Sequence, residues 1–188
     1  MPSSATPDQL SGVDLFRNLP EEGLRSVLAV CSDLKCNAED VLFQTGDESR
    51  SLYVVLSGTV EIALEAPLTE ETVAAELGPK SVFGESTFFH PAPHSTTVRC
   101  IEAATLLRLD RSEFDRLVQQ NPQVGCQLAV NAADILGARL QNTDRWVSQL
   151  LQQQQDARIR QHWHAFREHM GHSFATPHGF IGLGAGWE

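Results

Sequence analysis

"LFQTGDESRSLYVVLSGTVEI", running from Leu42 to Ile62, is a segment that turns twice. Gly46-Asp47 and Gly58 are turn residues, because glycine takes positive φ without steric cost and aspartate bonds back to nearby backbone. Between the turns Leu52, Val54 and Leu56 alternate; beyond Gly58 so do Val60, Ile62 and Leu64, with Thr59, Glu61 and Glu65 on the other face. A period of two puts successive side chains on opposite sides of a strand. Working outward, this pattern spans Glu39 to Asp110, punctuated by Gly78-Pro79, Gly84 and Pro91 to Pro93. Short strands at such spacing form a sandwich or β-roll rather than a parallel sheet.

Helical spacing flanks the strands on both sides. From Val13 to Leu34 the apolar residues Leu15, Phe16 and Leu19, then Leu24, Val27 and Leu28, predict two short helices, the second started by Pro20-Glu21-Glu22. Residues 1–12, rich in Ser, Pro and Thr, are expected to be a flexible terminus. Residues 13–122 form the β-roll with its leading helices. Arg111 to Gln120 is one more helix, and Asn121-Pro122 ends it and starts a long one. On that long helix Ala129, Ala133, Leu136, Leu140, Thr143, Val147, Leu150, Gln154 and Ala157 make a heptad seam with one polar member near its middle. A regular seam wants a partner helix, most simply its own copy across a two-fold axis, the alternative being packing back on the roll. The helical region is assigned to 123–170 and a Gly/His-rich tail to 171–188.

Composition excludes several functions. Fourteen Lys and Arg stand against 24 Asp and Glu, a formal charge of -10; such a balance repels nucleic-acid phosphates, and no basic run offsets it. Cys31, Cys36, Cys100 and Cys126 show no CxxC spacing and read as small buried hydrophobes in a reducing compartment. The N-terminus has no basic and apolar leader, and no stretch approaches the roughly 18 apolar residues of a membrane span, so a cytoplasmic location is expected. No nucleophile elbow, HExxH or paired Cys and His supports an enzyme. His162, His164, His169, His172 and His178 lack a carboxylate or cysteine at ligand spacing, so no metal site is assigned. Trp163, Phe166, Phe174, Phe180 and Trp187 either cover the chain's own surface or form a recognition segment for another protein.

The opening stretch, together with Phe83-Gly84-Glu85 and the loop Pro93 to Val98, resembles the cyclic nucleotide-binding domain of the catabolite activator protein and its relatives, the regulatory domains of cyclic-nucleotide-dependent kinases and channels. "RLQNTDRWV", Arg139 to Val147, resembles the dimer helix of the activator protein. The resemblance covers about Leu15 to Leu150 and implies a mainly β fold with flanking α: an eight-stranded double-stranded β-helix, a jelly-roll-like β-roll, with N-terminal helices and a long C-terminal dimerisation helix. It implies a ligand site at Gly84, Glu85, Ser86, His94, Ser95, Thr96 and Thr143. A short helix offers free N–H groups to a phosphate, and a glutamate, here Glu85, accepts from the ribose 2′-hydroxyl. Thr143 falls where the activator protein sets a threonine against the base. The departure is His94, which occupies the position of the arginine that grips the cyclic phosphate. Neutral imidazole has one donor and no charge, so affinity should fall by about two orders of magnitude or more. Arg99 alternates with Val98 and points away from the interior.

The chain is thus expected to be a non-enzymatic regulatory or sensor module with a degenerate phosphate site, signalling through the dimer helix to a partner protein. The alternative is a ligand-free scaffold or protein-interaction module that works by assembly. The possible ligand is cyclic AMP or cyclic GMP. The expected dimer interface is Leu136, Leu140, Thr143, Val147 and Leu150, and a protein partner is expected through the C-terminal helix or tail. Relatives of the activator protein carry a helix-turn-helix after the dimer helix. The residues after the seam show no such pattern, so neither DNA nor membrane binding is expected.

Overall fold

The computed structural model describes residues 3–64 and 72–153. Eight strands among them form two four-stranded antiparallel sheets. One sheet has the order β1 (Ser32–Cys36), β8 (Ala104–Asp110), β3 (Ser51–Ser57), β6 (Val82–Phe83). The other has β2 (Val41–Phe43), β7 (Thr97–Cys100), β4 (Val60–Leu64), β5 (Thr72–Leu77). The helices are α1 (Glu21–Val30), α2 (Glu85–Phe89), α3 (Arg111–Gln120) and α4 (Pro122–Gln153). The chain divides into two compact units, one reaching Ala138 and the other beginning at Arg139.

The run Leu52 to Val55 is apolar on both faces because β3 is a shared wall. Leu52 and Val54 join the cluster that includes Val27 and Leu28 of α1, Phe114 and Leu117 of α3, and Val124 and Leu128 of α4. Tyr53 and Val55 join a second cluster inside the roll with Phe43, Val60, Phe83, Val98 and Leu106. On β4 the expected alternation holds for Val60, but Leu64 is 45% exposed, while Glu61 is buried on the other face and paired with Arg99 directly across on β7. At Gly58 a Cβ would stand 2.5 Å from the Ala103 carbonyl oxygen and φ is +82°, so the turn between β3 and β4 requires glycine.

Two expectations need correction. The first of the two leading helices is a pair of 3-10 turns, Pro7–Leu10 and Asp14–Phe16, and Leu34 lies in β1. Nor is the N-terminus loose over residues 3–12. The Ser3 amide donates to the Cys31 carbonyl, the hydroxyls of Ser3 and Ser4 both donate to the Asp33 carboxylate, and Leu10 is fully buried. These hydrogen bonds link residues about thirty apart, a distance at which local propensity is silent. On α4, up to Ala138, the stripe packed on the core is Val124, Leu128, Ala132 and Ile135, and the core cluster includes none of the seam residues Ala129, Ala133 and Leu136.

Within the first unit Asn131 of α4 is buried, and its Nδ2 donates to the carbonyls of Leu15 (2.9 Å) and Arg17 (2.8 Å), with Gln127 donating to its Oδ1. In the second unit Leu140 and Trp146 are 58% and 61% exposed, Thr143 is exposed with its hydroxyl on the Arg139 carbonyl, and Val147 is half-buried. The long-helix assignment is met from Pro122 to Gln153. Its expected continuation to 170, the histidines, the tail and its aromatics lie outside the described residues.

Candidate functional site

The site is built around the crossover from β6 to β7. Gly84 enters α2 with φ +82°, and a Cβ there would lie 2.5 Å from the Ser51 carbonyl oxygen, so the chain can pass β3 at this point only as glycine. This close approach seats α2 on the sheet: Glu85, Thr87 and Phe88 are buried and Ser86 faces outward. Phe88, Phe89 and Phe114 pack edge to face, with centroids 5.0 to 5.8 Å apart. At the other end of α2, Arg50 and Arg111 both donate to the Phe88 carbonyl. Two cations therefore meet the negative end of the helix dipole.

The loop after α2 is clipped to the Gly46-Asp47 turn by main-chain bonds in both directions: Gly46 N to His94 O at 2.8 Å and His94 N to Asp47 O at 2.9 Å. His94 is only 5% exposed. Its ring stacks on Phe43 at 3.8 Å between centroids and 17° between planes, and its Nε2 is 2.7 Å from the Ser49 hydroxyl. Burial lowers its pKa below the ordinary value; the Asp47 charge and the Ser49 hydrogen bond pull back only in part. His94 is therefore neutral at pH 7. Ser95 is exposed and Thr96 half-exposed.

Of the seven expected site residues, Gly84, Glu85 and Ser86 open α2, while His94, Ser95 and Thr96 close the loop that follows it. Thr143 belongs to the second unit. The sequence reading missed the partners of His94, although the Gly46-Asp47 turn that clips its backbone was visible. It turned Arg99 away from the interior without finding its partner. Its guanidinium holds Glu61 Oε1 at 2.7 Å, with Glu61 buried, so Arg99 is committed to β4. Among the described residues no cluster of three His, Cys, Asp or Glu has the placing of a metal site.

A two-sheet roll whose crossover is a one-turn helix entered through a left-handed glycine, followed by a loop clipped to a Gly-Asp turn, defines a double-stranded β-helix domain. Residues 34–121 match the model of the cyclic nucleotide-binding domain family, and this span is a domain of that family. It is 35% identical over 104 residues to a cAMP-dependent protein kinase regulatory subunit of Yarrowia lipolytica, covering 55% of this chain and 26% of that protein. It is 31% identical over 96 residues to the lysophospholipase nte1 of Neosartorya fischeri, covering 51% of this chain and 6% of that one. Among solved structures, the Thermus thermophilus catabolite activator protein superposes with a TM-score of 0.67 at 28% identity, over 73% of this chain and 62% of that chain. The chain spans about a quarter or less of the two curated relatives named here, one a kinase subunit and the other an enzyme. No helix among the described residues is long and apolar enough to cross a membrane.

Proposed function

We propose that this chain is a non-enzymatic sensor module whose cyclic-nucleotide pocket has a degenerate phosphate site, and that it signals through a dimer helix to a protein partner. The observation that carries this reading is the side chain of His94. A buried, neutral imidazole stacked on Phe43 stands where the family resemblance places a phosphate-gripping arginine. Gly84, Glu85, Ser86, Ser95 and Thr96 supply the rest of the cradle, with Thr143 added by resemblance alone. Any ligand acts by its difference in affinity for two arrangements of the joint at Asn121-Pro122, where α3 gives way to α4. Leu136, Leu140, Thr143, Val147 and Leu150 form the dimer seam, with the output read by a protein rather than by DNA.

Thermal melting with millimolar cyclic AMP or cyclic GMP tests this. Ligand at a concentration near its Kd adds only about 0.4 kcal/mol, or roughly 1 to 2 °C. A small shift of that size is expected at neutral pH, and a rise of about 8 °C or more would show an intact phosphate site and refute the reading. A second reading, a ligand-free scaffold that works by assembly, is favoured by the exposure of Leu140 and Trp146 on α4. No shift with any nucleotide, together with a stable dimer, selects it.

A further inference from the structure

Away from the ligand cradle, Cys36 and Cys100 share one buried cluster in the interior of the roll. Cys36 ends β1 in one sheet, opposite Ala104; Cys100 ends β7 in the other, opposite Val60. The turn that follows Cys36 wraps the Cys100 backbone from both directions, with Glu39 N donating to Cys100 O at 2.7 Å and Cys100 N donating to Asp40 O at 2.9 Å. Both side chains are buried in the roll interior, in the same apolar cluster, and each thiol is among the groups that shift the other's pKa. Two of the four cysteines of the chain, on different sheets, are therefore held in one buried cluster with their backbones already fixed.

We propose that Cys36 and Cys100 are a reversible redox site, closed to an intramolecular disulfide by a peroxide, which bolts the two sheets of the roll together beside the ligand-sensing fold. Cys36, 7% exposed where Cys100 is fully buried, meets the oxidant first. Its sulfur attacks one peroxide oxygen, the O–O bond breaks, and water leaves, giving a sulfenic acid. The Cys100 sulfur then attacks the Cys36 sulfur, the S–OH bond breaks, and a second water leaves with the remaining proton. The two thiols lose two electrons and the peroxide gains them. Preorganisation favours the second step, since both thiols are held in one buried cluster by backbone that is already fixed. Burial holds both thiols protonated, with Cys100 pushed up to about 12 and the Asp40 charge adding to the effect. The first step is therefore slow at neutral pH and quickens as pH rises, since the thiolate is the nucleophile.

The test treats the full chain with hydrogen peroxide, blocks remaining thiols under denaturing conditions, and maps the peptides by mass. The expected product is one peptide pair joined through Cys36 and Cys100, lighter by two hydrogens, restored by dithiothreitol, and present equally in Cys126→Ser, which lacks the exposed thiol. In Cys100→Ser the link is absent and Cys36 is trapped as sulfenic acid by a dimedone-type reagent. The oxidised wild-type chain should melt roughly 5 °C or more above the reduced one, because the link closes a long loop. Oxidation confined to Cys126, a link formed only between chains, or a lower melting temperature of the linked form each overturns the proposal. The wild-type mapping decides the matter even if Cys100→Ser does not fold.

Discussion

Replacing His94 by arginine has two effects of opposite sign, and both follow from its surroundings. The imidazole contributes a stack on Phe43 at 3.8 Å and a hydrogen bond with Ser49 at 2.7 Å. Each is worth about 0.5–1.5 kcal/mol, so the unliganded variant should lose about 1–3 kcal/mol. For a domain of this size that is roughly 3–10 °C in melting temperature. A guanidinium cannot shed its charge to stay against Phe43, so it turns outward to where the cradle of α2 would present a phosphate. Two charge-assisted bonds at about 1.5–3 kcal/mol each would then raise affinity for a cyclic phosphate by about a hundredfold or more. At a ligand concentration of about 100 Kd the gain is about 2.7 kcal/mol, which recovers the loss. Differential scanning calorimetry with and without cyclic AMP reads both effects. The variant should melt lower than wild type alone and near it with ligand, while wild type barely responds. A variant as stable as wild type without ligand refutes the structural role of the ring, and a variant that ignores the nucleotide refutes the claim that the remaining cradle is intact.

Stability should also follow pH through His94. Its folded pKa lies below the ordinary 6.5, so in acid the unfolded chain takes the proton first. Stability is complete above pH 6.5 and declines as pH falls below it; urea titrations at pH 7.5 and 5.5 should show the decline in wild type and a weaker one in His94→Gln. Asn131→Ala strips two main-chain carbonyls, those of Leu15 and Arg17, of their buried donor and should cost about 2–4 kcal/mol in urea denaturation. A loss under about 0.5 kcal/mol would mean that the two carbonyls find other donors. Leu140→Glu puts a charge on the exposed seam and should convert a dimer to monomers in sedimentation velocity at micromolar concentration with the melting temperature little changed.

The strand pattern was legible from Leu42 to Ile62 because alternation and turn glycines are local properties, and Gly58 and Gly84 are obligatory for reasons of space that their flanking sequence reflects. The helix from Pro122 was legible for the same reason, although which stripe meets the core was not. Ala132 and Ile135 are chosen by what lies opposite them, and a helical period alone admits more than one apolar stripe. What stayed hidden depends on pairs distant in the chain. Phe43 under His94, Ser49 at its ring nitrogen, and Arg99 on Glu61 are separated by 38 to 51 positions. No window of sequence contains both members of such a pair. Substituting histidine for arginine could be read as a lost charge, but not as a side chain folded into the core.

The double burial of β3 governs how this molecule opens. Because Leu52 and Val54 belong to one apolar cluster and Tyr53 and Val55 to the other, its amides are released to solvent only when both layers have parted. Native-state hydrogen–deuterium exchange should therefore find β3 among the slowest-exchanging segments, at the protection of global unfolding. Partial openings that expose α2 or the clipped loop would leave that wall standing, so the sensing end can breathe on a rigid floor.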